Sequence, residues 1–258
     1  MKKTVSLVTA FFIILISALQ VSATGDGAMN WYCARNKEHK QPTLDANMRF
    51  IEKYDGYHVD KNASESDKVI YLTFDAGYEN GNVEKILDIM KEENVPGAFF
   101  ILSNLIDRNP KLVCRMLNEG HTVANHTSSH KDMTKIDNIE QFRAELDRLN
   151  EKYTALTGEE MARFYRPPEG RFSERDLGFA KQLGYKTIFW SLAYADWDNA
   201  KQPSEEYAMK KILDNIHPGA VVLLHPTSAT NAKILGRLIK TLKAEGYRFG
   251  TLDRKSVV

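Results

Sequence analysis

The 258-residue chain carries only two cysteines, Cys33 and Cys114. They are too few and too far apart for a thiolate metal site or a disulfide framework. A single bridge and two separate thiols, with Cys114 on an apolar helix face, both stay open. An excess of charge is also missing: 35 lysines and arginines stand against 34 aspartates and glutamates, which gives no reason to expect nucleic acid as a partner. No Gly-x-Ser-x-Gly elbow occurs, which argues against a serine nucleophile. Beyond the N-terminus, no apolar stretch is long enough to span a membrane.

At the N-terminus, Lys2-Lys3, a largely apolar run from Val5 to about Leu19 and the small-residue site Val21-Ser22-Ala23 read as a secretory signal over residues 1–23. An uncleaved anchor is the alternative, although the run is shorter than the ~20 residues a spanning helix needs. Either way the functional part is expected outside the cytoplasm. Without Lys2 and Lys3 the balance becomes 33 basic against 34 acidic residues, and the remaining length suits one domain of ordinary enzyme size.

From Val69 onward, short apolar runs alternate with amphipathic stretches, the rhythm of strand-helix units around a parallel sheet. The runs predict strands at Val69–Phe74, Gly97–Leu102, Thr122–Asn125, Arg163–Arg166, Thr187–Ser191, Val221–Leu224 and, more weakly, Arg248–Leu252, with six helical patterns between them. One places Val83, Ile86, Leu87 and Met90 on a single face; another does so with Phe142, Leu146, Leu149 and Tyr153. Seven strands suggest an α/β fold in the form of an incomplete barrel, although composition alone would also fit an open doubly wound sheet. Residues 24–68 show no such unit. They contain Trp31, for which packing over the barrel wall is the plainer reading and sugar stacking the sharper one.

The chemistry-bearing residues fall at the C-terminal ends of these strands, where active sites of barrel folds assemble. Asp75 closes the first. His126 and His130 follow the third; taken alone, His-x-x-x-His is often a mere surface pair, but here both imidazoles can face the mouth that Asp75 faces. Arg166 ends the fourth and precedes Pro167-Pro168-Glu169-Gly170. A guanidinium against Asp75 would hold it ionised, whereas a surface arginine in a proline-stiffened loop is the plainer alternative. Asp196-Trp197 follows the fifth strand and His225 the sixth, where a carboxylate on the neighbouring strand end can keep an imidazole protonated.

Thr73-Phe74-Asp75-Ala76-Gly77-Tyr78, His126-Thr127-Ser128-Ser129-His130, Arg166-Pro167-Pro168-Glu169-Gly170, Ser191 to Trp197 and Leu223-Leu224-His225 together resemble the signatures of the polysaccharide deacetylase (NodB-homology) family. Tyr71 to Phe74 and Gly77 to Gly81 resemble its branch of delta-lactam-biosynthetic de-N-acetylases of spore cortex peptidoglycan. The resemblance spans roughly Val69 to Asp253. It implies a distorted, incomplete (β/α) barrel of about seven parallel strands over residues 69–258, with residues 24–68 as an N-terminal extension packing on it.

By resemblance Asp75 is the general base, anchored by Arg166, and His225 the acid that protonates the leaving amine, oriented and charged by Asp196. His126 and His130 bind a divalent metal, with zinc first and manganese, cobalt or magnesium as alternatives. Tyr78, Pro167, Pro168, Gly170, Trp197 and Leu223 line the substrate groove. Two departures stand out: Ala76 and Ala193 occupy positions where the family carries aspartate, and the first is a metal ligand. Weaker metal affinity is the expected result, with water, substrate, Asn80 or Asn125 filling the gap.

The implied reaction is N-deacetylation of N-acetylmuramic acid in peptidoglycan, leading to muramic delta-lactam, after an amidase has removed the stem peptide. Arg171 and Lys131 are candidate partners for the freed lactyl carboxylate. A monomer is expected, secreted or held outside the cytoplasmic membrane, the space between the forespore membranes included. The runner-up is a general secreted deacetylase acting on N-acetylglucosamine in peptidoglycan or chitin. A catalytically silent carbohydrate-binding module is the rival from another class.

Overall fold

The computed structural model describes residues 27–35 and 37–252, so the expected signal segment lies outside the described residues. Among them, no helix is long and apolar enough to cross a membrane.

Within the extension, Met29–Asn30 forms β1 and Gly56–Tyr57 forms β2, on either side of a 3₁₀ segment at Ala46–Tyr54. The barrel proper starts with β3 (Val69–Ala76), α1 (Val83–Glu92), β4 (Ala98–Ile101), α2 (Ser103–Arg108), α3 (Pro110–Asn118), β5 (Thr122–Asn125) and α4 (Ile139–Thr157). It continues through β6 (Ala162–Tyr165), β7 (Arg171–Phe172), α5 (Glu174–Gln182), β8 (Lys186–Ile188) and β9 (Leu192–Ala193). Then come α6 (Glu205–Leu213), β10 (Val221–Leu224), α7 (Ala229–Ala244) and β11 (Arg248–Phe249).

The main sheet runs β2-β8-β6-β5-β4-β3-β10-β9, with β11 paired to the start of β3, and every pairing is parallel. Nine strands therefore replace the expected seven. One addition is β2, by which the extension joins the sheet. The other comes from the run Thr187–Ser191, which divides: β8 pairs with β6, and four residues after Ile188 the same segment begins β9 beside β10. Its bridging residue Ser191 donates nothing to β6; it accepts from the N–H of Val221 (3.2 Å) and gives its own N–H to the Val221 carbonyl (3.0 Å). One segment thus serves both ends of the sheet and brings its C-terminal edges round to a common mouth.

The alternation of β3 sets the two cores. Ile70, Leu72, Phe74 and Ala76 point outward into the apolar layer under α1 and α7, with Ile86, Leu87, Leu235 and Leu238. Val69 and Tyr71 point inward, with Ala98, Phe100 and Val221, and the period of two carries Thr73 and Asp75 to the same inner face. Ala76 is completely buried in the outer layer. The alanine at position 76, where the resemblance implies a metal ligand, therefore packs away from the mouth, and on this backbone an aspartate there would enter an apolar core.

Candidate active site

A cavity of about 1010 Å³ opens at the C-terminal ends of β3, β5, β9 and β10, and Asp75, His126, His130, Trp197, Leu223 and His225 lie on its wall. Tyr78 lines it too, its hydroxyl accepting from the Asn199 amide at 2.5 Å across the opening. Of the residues expected to line it, Pro167, Pro168 and Gly170 do not. Glu169 and Gly170 both take left-handed backbone (φ 57° and 64°), which turns Glu169 to the cavity and Gly170 beneath it. A side chain at Gly170 would meet the Trp190 ring at 2.6 Å, so glycine is required there.

On one side of the cavity, the Nη1–H of Arg166 donates to Asp75 Oδ1 at 2.8 Å. Arg166 is fully buried, yet its fork is satisfied: Nε–H donates to the Ile188 carbonyl (2.9 Å) and Nη2–H to Thr73 Oγ1 (2.9 Å), and the plane lies 4.0 Å over the Phe100 ring. Burial would raise the Asp75 carboxyl, but the positive charges of His126, Arg166 and His225 outweigh it and hold Asp75 below the usual carboxylate range. His126 is itself pushed down to about 4, chiefly by burial, so at neutral pH Arg166 and His225 carry that effect.

On the other side, Asp196 is buried and its carboxylate accepts three hydrogen bonds. His225 gives its Nδ1–H to Oδ1 (2.7 Å) and its backbone N–H to Oδ2 (2.8 Å), and Asn231 donates to Oδ2 (2.6 Å). Burial would lower the His225 imidazole, but the hydrogen bond and charge of Asp196, with Asp75 further off, raise it above its ordinary value. Asn231 escaped the sequence reading. It sits in the first turn of α7, fully buried, donates also to the His225 carbonyl (3.1 Å) and accepts from the Tyr194 hydroxyl. Its one sequence signal is Ser228 three residues before it, whose side chain caps that turn.

The histidine pair stands between. His126 gives its Nδ1–H to the Arg166 carbonyl (2.8 Å), leaving an Nε2 lone pair 3.5 Å from Asp75 Oδ2. The His126 and His130 ring centroids are 5.1 Å apart. His130 is set by a left-handed turn (φ 58°) whose N–H bonds Thr127 Oγ1. An uncharged imidazole with its Nδ1–H engaged is the ligating tautomer, and two acceptors facing each other at 3.5 Å suit a shared cation. With the His130 ring beside them, these donors fit a divalent ion. Among the described residues no three His, Cys, Asp or Glu side chains converge to hold a metal, so water or substrate would complete its shell.

Neither asparagine suggested for that gap lines the cavity. Asn125 is wholly buried, donating to the Leu146 carbonyl and Asn150 and accepting from the Thr127 N–H, so it shapes the histidine turn. Asn80 donates to the Thr227 carbonyl. Arg171 and Lys131 also lie off the cavity, paired with Asp132 (3.3 Å) and Glu145 (3.5 Å). The extension enters instead. Trp31, Tyr32, Cys33 and Arg35 line the cavity. Trp31 is buried, stacked on Phe189 at 4.2 Å between centroids, with its N–H on the Gly170 carbonyl (2.7 Å) and its Nε1–H on the Trp190 carbonyl (2.9 Å). Cys33 and Cys114 are both free.

Comparison with known proteins agrees with this geometry. The model of the polysaccharide deacetylase family matches residues 62–188. The peptidoglycan-N-acetylmuramic acid deacetylase PdaA of Bacillus subtilis is 38% identical over 254 residues, 98% of this chain and 95% of that one. Its solved structure, described as a family 4 carbohydrate esterase, superimposes with a TM-score of 0.83 at 39% identity, covering 88% of this chain and 96% of the other. A peptidoglycan-N-acetylglucosamine deacetylase of Bacillus cereus is 34% identical over 187 residues, 71% of this chain and 66% of that one. A likeness that runs through nearly the whole length, with the same half-barrel fold, shows that the chain belongs to the polysaccharide deacetylase family of hydrolases.

Proposed function

We propose that the protein hydrolyses the N-acetyl group of N-acetylmuramic acid in peptidoglycan strands, a step toward muramic delta-lactam. The observation that carries the reading is the pair of oppositely arranged charge couples, Arg166 with Asp75 and Asp196 with His225, facing one cavity. The choice of muramic acid over glucosamine is supported by the extent of the likeness, 98% of the chain for the muramic acid deacetylase against 71% for the glucosamine one.

Asp75, held ionised, takes a proton from water as it attacks the acetamide carbonyl. His225, held protonated through Asp196, gives its proton to the departing sugar amine, which would otherwise leave as a very poor amide anion. Acetate and a free amine result. His126 and His130 would hold a divalent metal, zinc first with manganese, cobalt or magnesium as alternatives, and such an ion supplies Lewis-acid polarisation of a carbonyl. The enzyme acts as a monomer outside the cytoplasmic membrane, on strands from which an amidase has removed the stem peptide.

Acetate release from purified peptidoglycan, with and without amidase and added metal, tests this. Mass spectrometry of the digested strands should show acetate loss or a lactam mass only at muramic acid and only after amidase. Deacetylation confined to glucosamine would replace the reading with its runner-up, and no release under any condition would favour a silent binding module.

A further inference from the structure

We infer that Arg35 binds the lactyl carboxylate of the substrate, so that the extension, rather than the catalytic groups, distinguishes muramic acid from glucosamine. This rests on the functional reading above. The two sugars share the acetamide, and differ in a lactyl ether that ends in a carboxylate. A cleft that separates them needs a cation within reach of the groups that cleave the acetamide, and the catalytic couples have none to spare: Arg166 is buried and fully engaged by Asp75, Thr73 and backbone carbonyls, and the His225 imidazole is held by Asp196 with its other N–H committed to the leaving amine.

Arg35 is the one lysine or arginine among the described residues lining the cavity, and it is exposed. The segment that carries it is anchored beside the cavity. Four residues earlier Trp31 is pinned to Gly170, Phe189 and Trp190, and Arg35 itself reaches across to the Ala193 carbonyl at 3.5 Å. Ala193 pairs with Leu223, two residues before His225, so the contact lies on the strand edge beside the general acid. What Arg35 meets there is a carbonyl, and the Ala193 side chain adds only a methyl to the wall. Of the two acids lining the cavity, Asp75 is already taken by Arg166 and Glu169 comes from the turn after β6. A guanidinium presented in a partly enclosed cleft, on a carbonyl rather than a carboxylate, is suited to bidentate capture of an incoming carboxylate.

The test uses the full chain and glycan oligosaccharides from amidase-treated peptidoglycan in two forms, one with the free lactyl carboxylate and one with it converted to a methylamide. Arg35→Gln should raise KM for the free-carboxylate strand on the order of ten- to a hundredfold, the size of a charged hydrogen bond, with kcat little changed. On the methylamide strand Arg35→Gln and the unaltered protein should be equal. Arg35→Lys should recover part of the loss. Ala193→Asp, which places a carboxylate beside the guanidinium, should raise KM in the same selective way. An unchanged KM in Arg35→Gln, or an equal loss on both strands, overturns the inference while leaving the functional reading intact. Failure of the unaltered protein to deacetylate muramic acid overturns both.

Discussion

The two walls of the cleft are built from the same parts with their roles exchanged. Along β3 and β6 the carboxylate of Asp75 works and the guanidinium of Arg166 is its fixed partner; at β10 the imidazole of His225 works and the carboxylate of Asp196 is fixed. In each couple the fixed member is the more deeply buried and the more fully hydrogen-bonded. The lesson concerns burial: left alone it would neutralise both working groups, and each is kept charged by the opposite charge held beside it. Base and acid thus coexist in their reactive forms across neutral pH.

The largest effect should follow from disabling the first couple. Asp75→Asn keeps the shape but cannot accept a proton, and activity should fall on the order of a hundred- to ten-thousandfold, with a lowered melting temperature because the buried Arg166 loses its counter-charge. Near-native turnover in that variant would remove Asp75 from its role.

Breaking the second couple should cost less and show itself in the pH profile. In the unaltered enzyme the acid limb should lie below the ordinary carboxylate range, where Asp75 takes up a proton, and the alkaline limb above the ordinary histidine value, where His225 loses one. Asp196→Asn removes the charge that raises His225 and leaves burial, which lowers it, so the alkaline limb should move to lower pH. Activity at neutral pH should then drop roughly ten- to a hundredfold. An alkaline limb that stays in place would show that another group donates the proton.

The smallest effect tests the same principle away from the cleft. Asp176 is also buried and serves the Ser173 capping box of α5, and burial pushes it up to about 7 against the opposing charge of Arg175. Because its folded value is raised, the stability it contributes is complete below its unfolded value near 3.8 and is lost as pH rises through 7. Asp176→Asn should therefore gain on the unaltered protein between pH 4 and pH 8, by about 2–4 kcal/mol at most. Parallel melting curves over that range would show that the carboxylate is ionised throughout.

How legible this was depended on the length scale of each feature. The runs at Val69, Thr122 and Val221 announce β3, β5 and β10, and the signature residues at their exits do converge on one cavity. The two-residue strands β2 and β9 carry no period for a pattern to register, so the extension's place in the sheet and the division of the Thr187–Ser191 run went unread. Pro167, Pro168 and Gly170 were misplaced because the left-handed turn at Glu169 changes which side faces the cleft, and a glutamate gives no sign of that. Ala76 is different. Counting by two from Phe74 assigns it to the outer layer, so the signal was present. Arg35 and Asn231 owe their positions to contacts with residues far along the chain, which no local pattern encodes.

The segment from Lys186 to Ala193 has a bearing on how the molecule comes to be active. Arg166 lies 91 residues from Asp75 along the chain, and both Ile188, which accepts from Arg166, and Ala193, which pairs beside β10, belong to this one stretch. In a refolding chain β8 can find β6, and β9 can find β10, as separate events, each closing its own loop. The two charge couples face each other only after one short piece of backbone has docked on both sides. Helices and most of the sheet need nothing from that docking, whereas the two couples cannot meet across the cleft without it.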